Sequence, residues 1–467
     1  MAVADSAASD VVSDCSGQCA GRRCGAIGAC GALCGNTAAL PLTFEESIPT
    51  SQLISREGTL HTKQDKIVIT ADGTIHLYLQ LVPKGGAYVR SRDGGSTWEG
   101  YQVFDSRGWL GVIERDDQDN LYSIFASSWQ EGGERKSSPQ GIAAPVDKQG
   151  AQWAWTWSTP TMLLPHPPNP RHGFLDFAVD DQGVVHLVTG SVNAFSFDPS
   201  TDSIHFGINY FRSTSPRDVS AFQLVEQVLS GDMSQVQVPG VDLGYGGDPS
   251  VAIDPAGSVI LVYSDNSSYQ CGLSEAKWQD AGFRGTIYLK RYLRQGSGWT
   301  PTAAQTIAKG TYGDVDTLVG PDGAVHVVYT VLDSGWSYRI AYRKIAADGQ
   351  IGGEEILTTL DRQTTERTIF PSLAMLDDGT LVIGFTDRLA SVDGHLGLVV
   401  KRPGSARWSC AAILATTGPS GSMGINLYPR PVGGDLLFVY LQGNDDGRPL
   451  RFGRLKVSDL LAASSGP

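Results

Sequence analysis

Residues 67–79 read IVITADGTIHLYL, and the same pattern recurs to the C-terminus. An alternating apolar run meets a tight Asp/Gly turn, and a second apolar run follows. The further copies are VIERDDQDNLYSIF from Val112, FAVDDQGVVHLVTG from Phe177, VAIDPAGSVILVYSD from Val251, TLVGPDGAVHVVYT from Thr317, LAMLDDGTLVIGFTD from Leu373 and LYPRPVGGDLLFVYL from Leu427. Each reads as two strands joined by a hairpin, because Asp-Gly supplies the positive φ such a turn needs. A third strand and often a fourth come next, as in AYVRSRDGGSTW, INYFRSTS, TIYLKRYLRQGSGW, YRIAYRKI and LGLVVKRPGSARW. Seven such units, starting about 40 to 75 residues apart, predict an all-β fold: a β-propeller with seven blades of four-stranded antiparallel sheet. Six blades is the alternative, since the copy at Val112 is degenerate and two prolines interrupt the one at Leu427. Residues 40–65 are expected to supply the strand that closes the ring, or an outer strand of the last blade.

The 467 residues divide into a leader over 1–39 and a propeller over 40–467. Hydrophobic residues make up 41% of the chain, enough for a sizeable core. Its 56 glycines and 10 tryptophans suit many turns and aromatic packing rather than long helices. The formal net charge of −13 repels phosphate backbones, so nucleic acid is not an expected partner. An anionic sugar stays open, because a local basic pocket overrides the distant field once salt screens it. No stretch approaches the ~20 apolar residues that span a bilayer.

Five of the seven cysteines, Cys15, Cys19, Cys24, Cys30 and Cys34, lie among glycines in the leader. So dense a cluster suggests disulfides formed in an oxidising compartment, with zinc as the competing reading. Zinc has against it the lack of paired Cys-x-x-Cys elements and of any histidine nearby. Five is odd, so one thiol is free or pairs with Cys271 or Cys410. The leader resembles the Cys-Gly segments of exported bacterial surface proteins, which implies an extracellular or cell-surface location. No signal-peptide pattern is visible over residues 1–14, so export implies that a signal has been removed.

A second resemblance rests on Ser91-Arg92-Asp93-Gly94-Gly95-Ser96-Thr97-Trp98. This stretch matches the Asp-box pattern S-x-D-x-G-x-T-W at every defined position and resembles the sialidase-like, BNR-repeat propellers. The residues themselves favour a turn. Asp93 and Ser91 can satisfy its backbone donors, glycine permits its geometry, and Trp98 can pack between sheets. Ordinary sialidase activity is not expected. In sialidases the arginine of an R-I-P triplet precedes the first inner strand, where Gln64, Asp65 and Lys66 stand here. The acid expected after that strand is also missing between Tyr78 and Gly86.

The segments before the inner strands converge on one face of a propeller, and convergent polar groups in a concave mouth are the default site. They supply Asp65, Trp109, Tyr245, Asp248, Tyr312, Asp314, Asp316 and Arg367 as candidate substrate-binding residues. Arg171, His172, Tyr428 and Arg430 are candidate catalytic ones. His76, His186 and His326 repeat in a G-x-x-H pattern, which favours a scaffold role, whereas His172 is not repeated. HGFLDFAVDDQGVVHLVTG with INYFRS resembles a segment of seven-bladed BNR-type polysaccharide lyases such as ulvan lyases. That resemblance implies a histidine base at His172 and makes Tyr210, Arg212 and Ser213 the counterparts of a Y-x-R-S element. The second histidine expected after the inner strand is absent, with Val192 and Asn193 in its place.

A lyase acting on a uronate must neutralise the carboxylate and then remove the proton on the neighbouring carbon. Arg171, Arg367 or Arg430 could neutralise, and His172, Tyr210 or Tyr428 could act as base. A glycoside hydrolase would need two carboxylates, for which Asp65, Asp248, Asp314 and Asp316 are available. The expected function is a secreted, carbohydrate-active propeller, a lyase or hydrolase of an acidic polysaccharide. The alternatives are a non-catalytic, lectin-like glycan binder with stacking aromatics, and a surface interaction propeller. A monomer is expected. No metal site is predicted: calcium is conceivable from the many Asp/Gly turns, but no EF-hand spacing supports it.

Overall fold

The computed structural model describes residues 40–48, 66–81, 85–131, 134–150, 152–163, 172–191, 205–232, 249–264, 285–332, 338–357, 371–389, 392–409, 412–415, 422–442 and 449–464. These form seven antiparallel sheets arranged as the blades of a propeller, here numbered I to VII. The innermost strands are Ile67–Ile69, Gly108–Arg115, His172–Val179, Ser250–Ile253, the second half of Gln305–Val319, Ser372–Met375 and Ser422–Leu427. Each pairs antiparallel with the strand across its Asp/Gly turn, as Ile67–Ile69 does with Ile75–Gln80. The leader cysteines, Cys271 and Cys410 lie outside the described residues.

The ring closes through the N-terminal segment. Phe44–Ser47 is the outer strand of blade VII, pairing antiparallel with Leu450–Lys456. Just before it, Leu40–Pro41 runs parallel to Ala412–Ala415 of blade VI. The start of the chain thus ties the last two blades together and places residue 40 inside the propeller. Blades IV and V are joined differently. The strand Gln305–Val319 pairs with Gly285–Gln295 of blade IV at one end and with Val325–Leu332 of blade V at the other.

Why each blade sticks to the next follows from the repeat. The second and third strands of blades I, III and V carry a buried histidine facing a tyrosine. The pairs His76–Tyr88, His186–Tyr210 and His326–Tyr342 each bond ring Nδ1 to hydroxyl at 2.7 Å. A tryptophan from the following blade then packs edge-on against each pair. Trp155 lies 4.5 Å from His76, Trp299 5.1 Å from His186, and Trp408 5.1 Å from Tyr342, centroid to centroid. Trp98 does the same to Phe452 across the VII–I seam at 5.4 Å. The repeated G-x-x-H histidines are therefore scaffold, as the sequence led one to expect.

The 91–98 turn that presents Trp98 is built on Asp93. Its carboxylate accepts from the Thr97 amide and hydroxyl at 2.8 and 2.6 Å, and from the Ser91 hydroxyl at 2.8 Å. Ser91 Oγ in turn accepts from the Gly95 amide at 2.7 Å. Gly94 and Gly95 have φ of 71° and 97°, a region that side chains with a Cβ avoid.

Candidate functional site

Inner strands are sheet edges, and their outward backbone groups need partners. A belt of polar side chains supplies them around the central channel. One register position recurs on every inner strand, held by Lys66, Asp176, Ser250, Asp316, Ser372 and Asn426, with Val112 in blade II. Most of these reach forward by one blade. Asp176 accepts from the Val251 amide at 2.8 Å, and Asp316 from the Leu373 amide at 2.6 Å. Ser372 accepts from the Leu427 amide at 3.0 Å, and Asn426 from the Lys66 amide at 3.4 Å. Lys66 donates from Nζ to the Gly111 carbonyl of blade II. Its ammonium is buried, 5.1 Å from the centre of the Tyr78 ring.

Inside the belt lies a cavity of about 490 Å³. Val179, Ile253 and Val319 give it apolar walls, and Glu114, Arg115 and Arg430 stand where the inner strands end. The channel therefore has an upper mouth, where inner strands begin, and a lower mouth, where their hairpins turn. The acids at the lower mouth are largely engaged. Asp116 accepts from the Tyr122 hydroxyl, the Asn120 side chain and Arg217 at 2.9, 2.8 and 3.0 Å. These bonds outweigh its burial and hold its pKa below the usual carboxylate range. Among the described residues, no group of three or more His, Cys, Asp or Glu side chains could hold a metal ion.

The upper mouth has a feature of its own. Four inner strands carry an extra residue at this end. Two residues oppose one between Trp109 and Val112, between His172 and Leu175, and between Met423 and Asn426. In blade V the register slips twice, between Thr311 and Gly313 and between Gly313 and Asp316. Bulges of this kind bend a strand and re-aim its side chains, and they are enriched at barrel rims and active sites. The backbones of Trp109, His172, Tyr312 and Asp314 all lie in or beside these irregularities. The backbones of four of the sequence candidates thus lie at one mouth. Asp65, Arg171, Tyr245, Asp248 and Arg367 lie outside the described residues.

Other candidates are not brought there. Tyr428 and Arg430 follow the inner strand of blade VII, because that strand is Ser422–Leu427 and both prolines fall in its turn. They stand with the hairpin turns at the lower mouth, whereas the His172 backbone lies where its strand begins, at the upper one. Tyr210 is 1% exposed in the seam between blades III and IV. Burial pushes its hydroxyl pKa well above the ordinary value, and its oxygen is tied to His186. The Y-x-R-S element of 210–213 also recurs as Tyr88-Val89-Arg90-Ser91, with His76 in place of His186. Arg212 packs over Trp299 at 5.0 Å, and Ser213 Oγ accepts from the Val185 amide at 3.0 Å. The element is repeat scaffold, and Tyr210 is no base. Asp316 lines the cavity, but its two oxygens serve the Thr317 and Leu373 amides. Its position is that of a belt member rather than a ligand-facing acid.

Of the belt residues, only Asp316 stands among the sequence candidates, as a substrate-binding acid. The belt's signal is a polar residue just before an apolar run, as in Lys66 before IVI, Ser250 before VAI and Ser372 before LAM.

No family model matches the chain, and no curated protein matches its sequence. Solved structures do match its fold. An ulvan lyase described as polysaccharide lyase PL25, solved bound to -[GlcA(1-4)Rha3S]-, aligns over 91% of this chain and 100% of its own. The TM-score is 0.57 at 10% identity. The polysaccharide lyase Uly1 aligns over 89% of this chain and 99% of its own, with a TM-score of 0.50 at 9% identity. A sialidase of Trypanosoma rangeli, in complex with the inhibitor DANA, aligns over 91% and 61%, with a TM-score of 0.46 at 12% identity. The chain is a seven-bladed propeller, and its fold is like that of the ulvan lyase.

Proposed function

We propose that the upper mouth is a glycan site and that the protein cleaves an acidic, uronate-containing polysaccharide outside the cell, as a monomer. The observation that carries this reading is the clustering of inner-strand bulges at that mouth, at Trp109, His172, Tyr312 and Asp314. The likeness of the whole fold to a lyase solved with a bound oligosaccharide supports it. His172 is the base. Arg171 and Arg367 are the cations that would neutralise the uronate, since a guanidinium fork binds a carboxylate through two hydrogen bonds. With the carboxylate neutralised, the base takes the proton on the neighbouring carbon. The electron pair forms a carbon–carbon double bond, and the glycosidic oxygen departs with a proton. Trp109 and Tyr312 supply stacking surfaces for sugar rings. Residues 1–39 are a leader whose cysteines pair as disulfides in an oxidising compartment.

The test is a panel of uronate-containing polysaccharides followed by the absorbance of the unsaturated product. The expected result is turnover that falls by at least about 100-fold in His172→Ala and in Arg171→Ala, the usual worth of a general base or a charge-neutralising group. Reducing ends released without that absorbance would identify a hydrolase instead. Glycan binding with no product of either kind would make the protein a lectin. No binding and no product would overturn the glycan reading altogether. An activity untouched by either substitution would overturn the assignment of His172 and Arg171.

A further inference from the structure

Lys66 departs from the pattern of the belt it belongs to. The other belt side chains with a forward bond, Asp176, Asp316, Ser372 and Asn426, all accept from an amide of the following blade. Lys66 donates, and its target is a carbonyl, that of Gly111. Gly111 is part of the bulge between Trp109 and Val112. A bulge breaks the local ladder and leaves backbone groups to be satisfied from elsewhere. The sense of the belt is thus reversed where the next blade turns out a carbonyl.

Blade I holds this bulge at further points. Gln80 donates from Nε2 to the Gly108 carbonyl at 3.1 Å. The Tyr78 ring fills the space beside Gly111, so that a Cβ there would collide with the ring and its hydroxyl. The same hydroxyl fills the space beside Gly86. On its other side Lys66 receives Asn426, the residue that ends the bulge of blade VII. That bulge too is pinned by the blade before it, since the Gly424 amide donates to Thr386 Oγ1 at 2.7 Å. One residue therefore stands between two bulged strands, bonded by its amide to one and by its ammonium to the other.

We propose that Lys66 is a positioning residue of the upper mouth: it fixes the 109–112 bulge of blade II, and with it Trp109, relative to the bulged strand of blade VII. Its functional half rests on the reading of the upper mouth as a glycan site, whereas its structural half does not. Lysine suits this role because its four-carbon stem reaches across a seam and ends in three donors.

The experiment compares Lys66→Met and Lys66→Arg with the unsubstituted protein by hydrogen exchange read over peptides covering 106–113. Lys66→Met should speed exchange there by about tenfold, the loss expected for one buried hydrogen bond, while peptides of blades IV and V stay unchanged. Lys66→Arg, which keeps the donor, should restore protection. If Lys66→Met does not fold, Lys66→Gln takes its place, with a donor too short to reach. Unchanged exchange at 106–113, or a uniform rise in every blade, would overturn the proposal. A glucuronate-containing oligosaccharide is then titrated into each protein. Binding weakened in Lys66→Met and recovered in Lys66→Arg is expected. Should the unsubstituted protein not bind it, the glycan reading fails while the exchange result still decides the role of Lys66. Binding equal in all variants, with altered exchange, would overturn the functional half alone.

Discussion

At the scale of single residues, the histidines set how the protein meets acid. Burial holds His76 down to about 3 and His326 down to about 4, and it lowers His186 as well. In an unfolded chain each titrates near 6.5. As pH falls below about 6.5 the unfolded state takes up protons that the folded state refuses. Stability is intact above that value and is lost progressively between there and pH 4, by up to about 1.4 kcal/mol per pH unit for each histidine. Urea midpoints measured from pH 7.5 to 4.5 should show this decline. His326→Leu leaves the Tyr342 hydroxyl without its bond and should cost about 1–3 kcal/mol at pH 7.5. Its gap to the unsubstituted protein should narrow at pH 5, where the histidine is itself a liability. Asp93 behaves in the opposite range. Its bonds to Thr97 hold it to about 2, so the stability it lends the 91–98 turn is intact above about pH 4 and is lost progressively as pH falls from there toward 2.

At the scale of elements, aromatic side chains join the blades across their seams. Trp299 bonds the Gly257 carbonyl through its indole, meets His186 edge-on and lies under Arg212 and Arg294. Trp299→Ala should therefore cost about 3 kcal/mol in a denaturation experiment, the usual order for deleting a packed aromatic. The closing strand makes a sharper comparison. A chain starting at residue 40 keeps Leu40–Pro41 and Phe44–Ser47, and its melting temperature should match that of the full chain. A chain starting at residue 49 loses both pairings and the Phe44–Phe452 contact, and should melt many degrees lower or not fold. The hairpins and their turns were legible in the sequence because period-two patterning and Asp-Gly are local signals. Which end of the Leu427 run faces which mouth was not. A hairpin with two prolines gives no local mark of where its first strand stops, and Tyr428 and Arg430 were assigned to the wrong mouth for that reason. The Y-x-R-S element misled in another way. Its chemistry looks catalytic in isolation, and only its recurrence at 88–91 with the same histidine partner reveals it as packing.

At the scale of the whole molecule, the blade count followed from counting repeats, whereas the site depends on what the ring brings together. The bulges that gather Trp109, His172, Tyr312 and Asp314 at one mouth arise from pairing register, which no single strand carries in its own residues. The belt is similar in kind, since each bond joins residues far apart in the chain, as Asn426 joins Lys66. One link among the described residues is continuous. Between blades IV and V the chain does not leave the sheet, because Gln305–Val319 crosses the seam as a single strand. Those two blades form one continuous hydrogen-bonded fabric, whereas the VII–I junction is held by side chains and a short terminal strand. The ring therefore has a built-in fault line and a built-in splice on different arcs. Pulled or heated, it should part at the terminal closure first and surrender blades IV and V together and last.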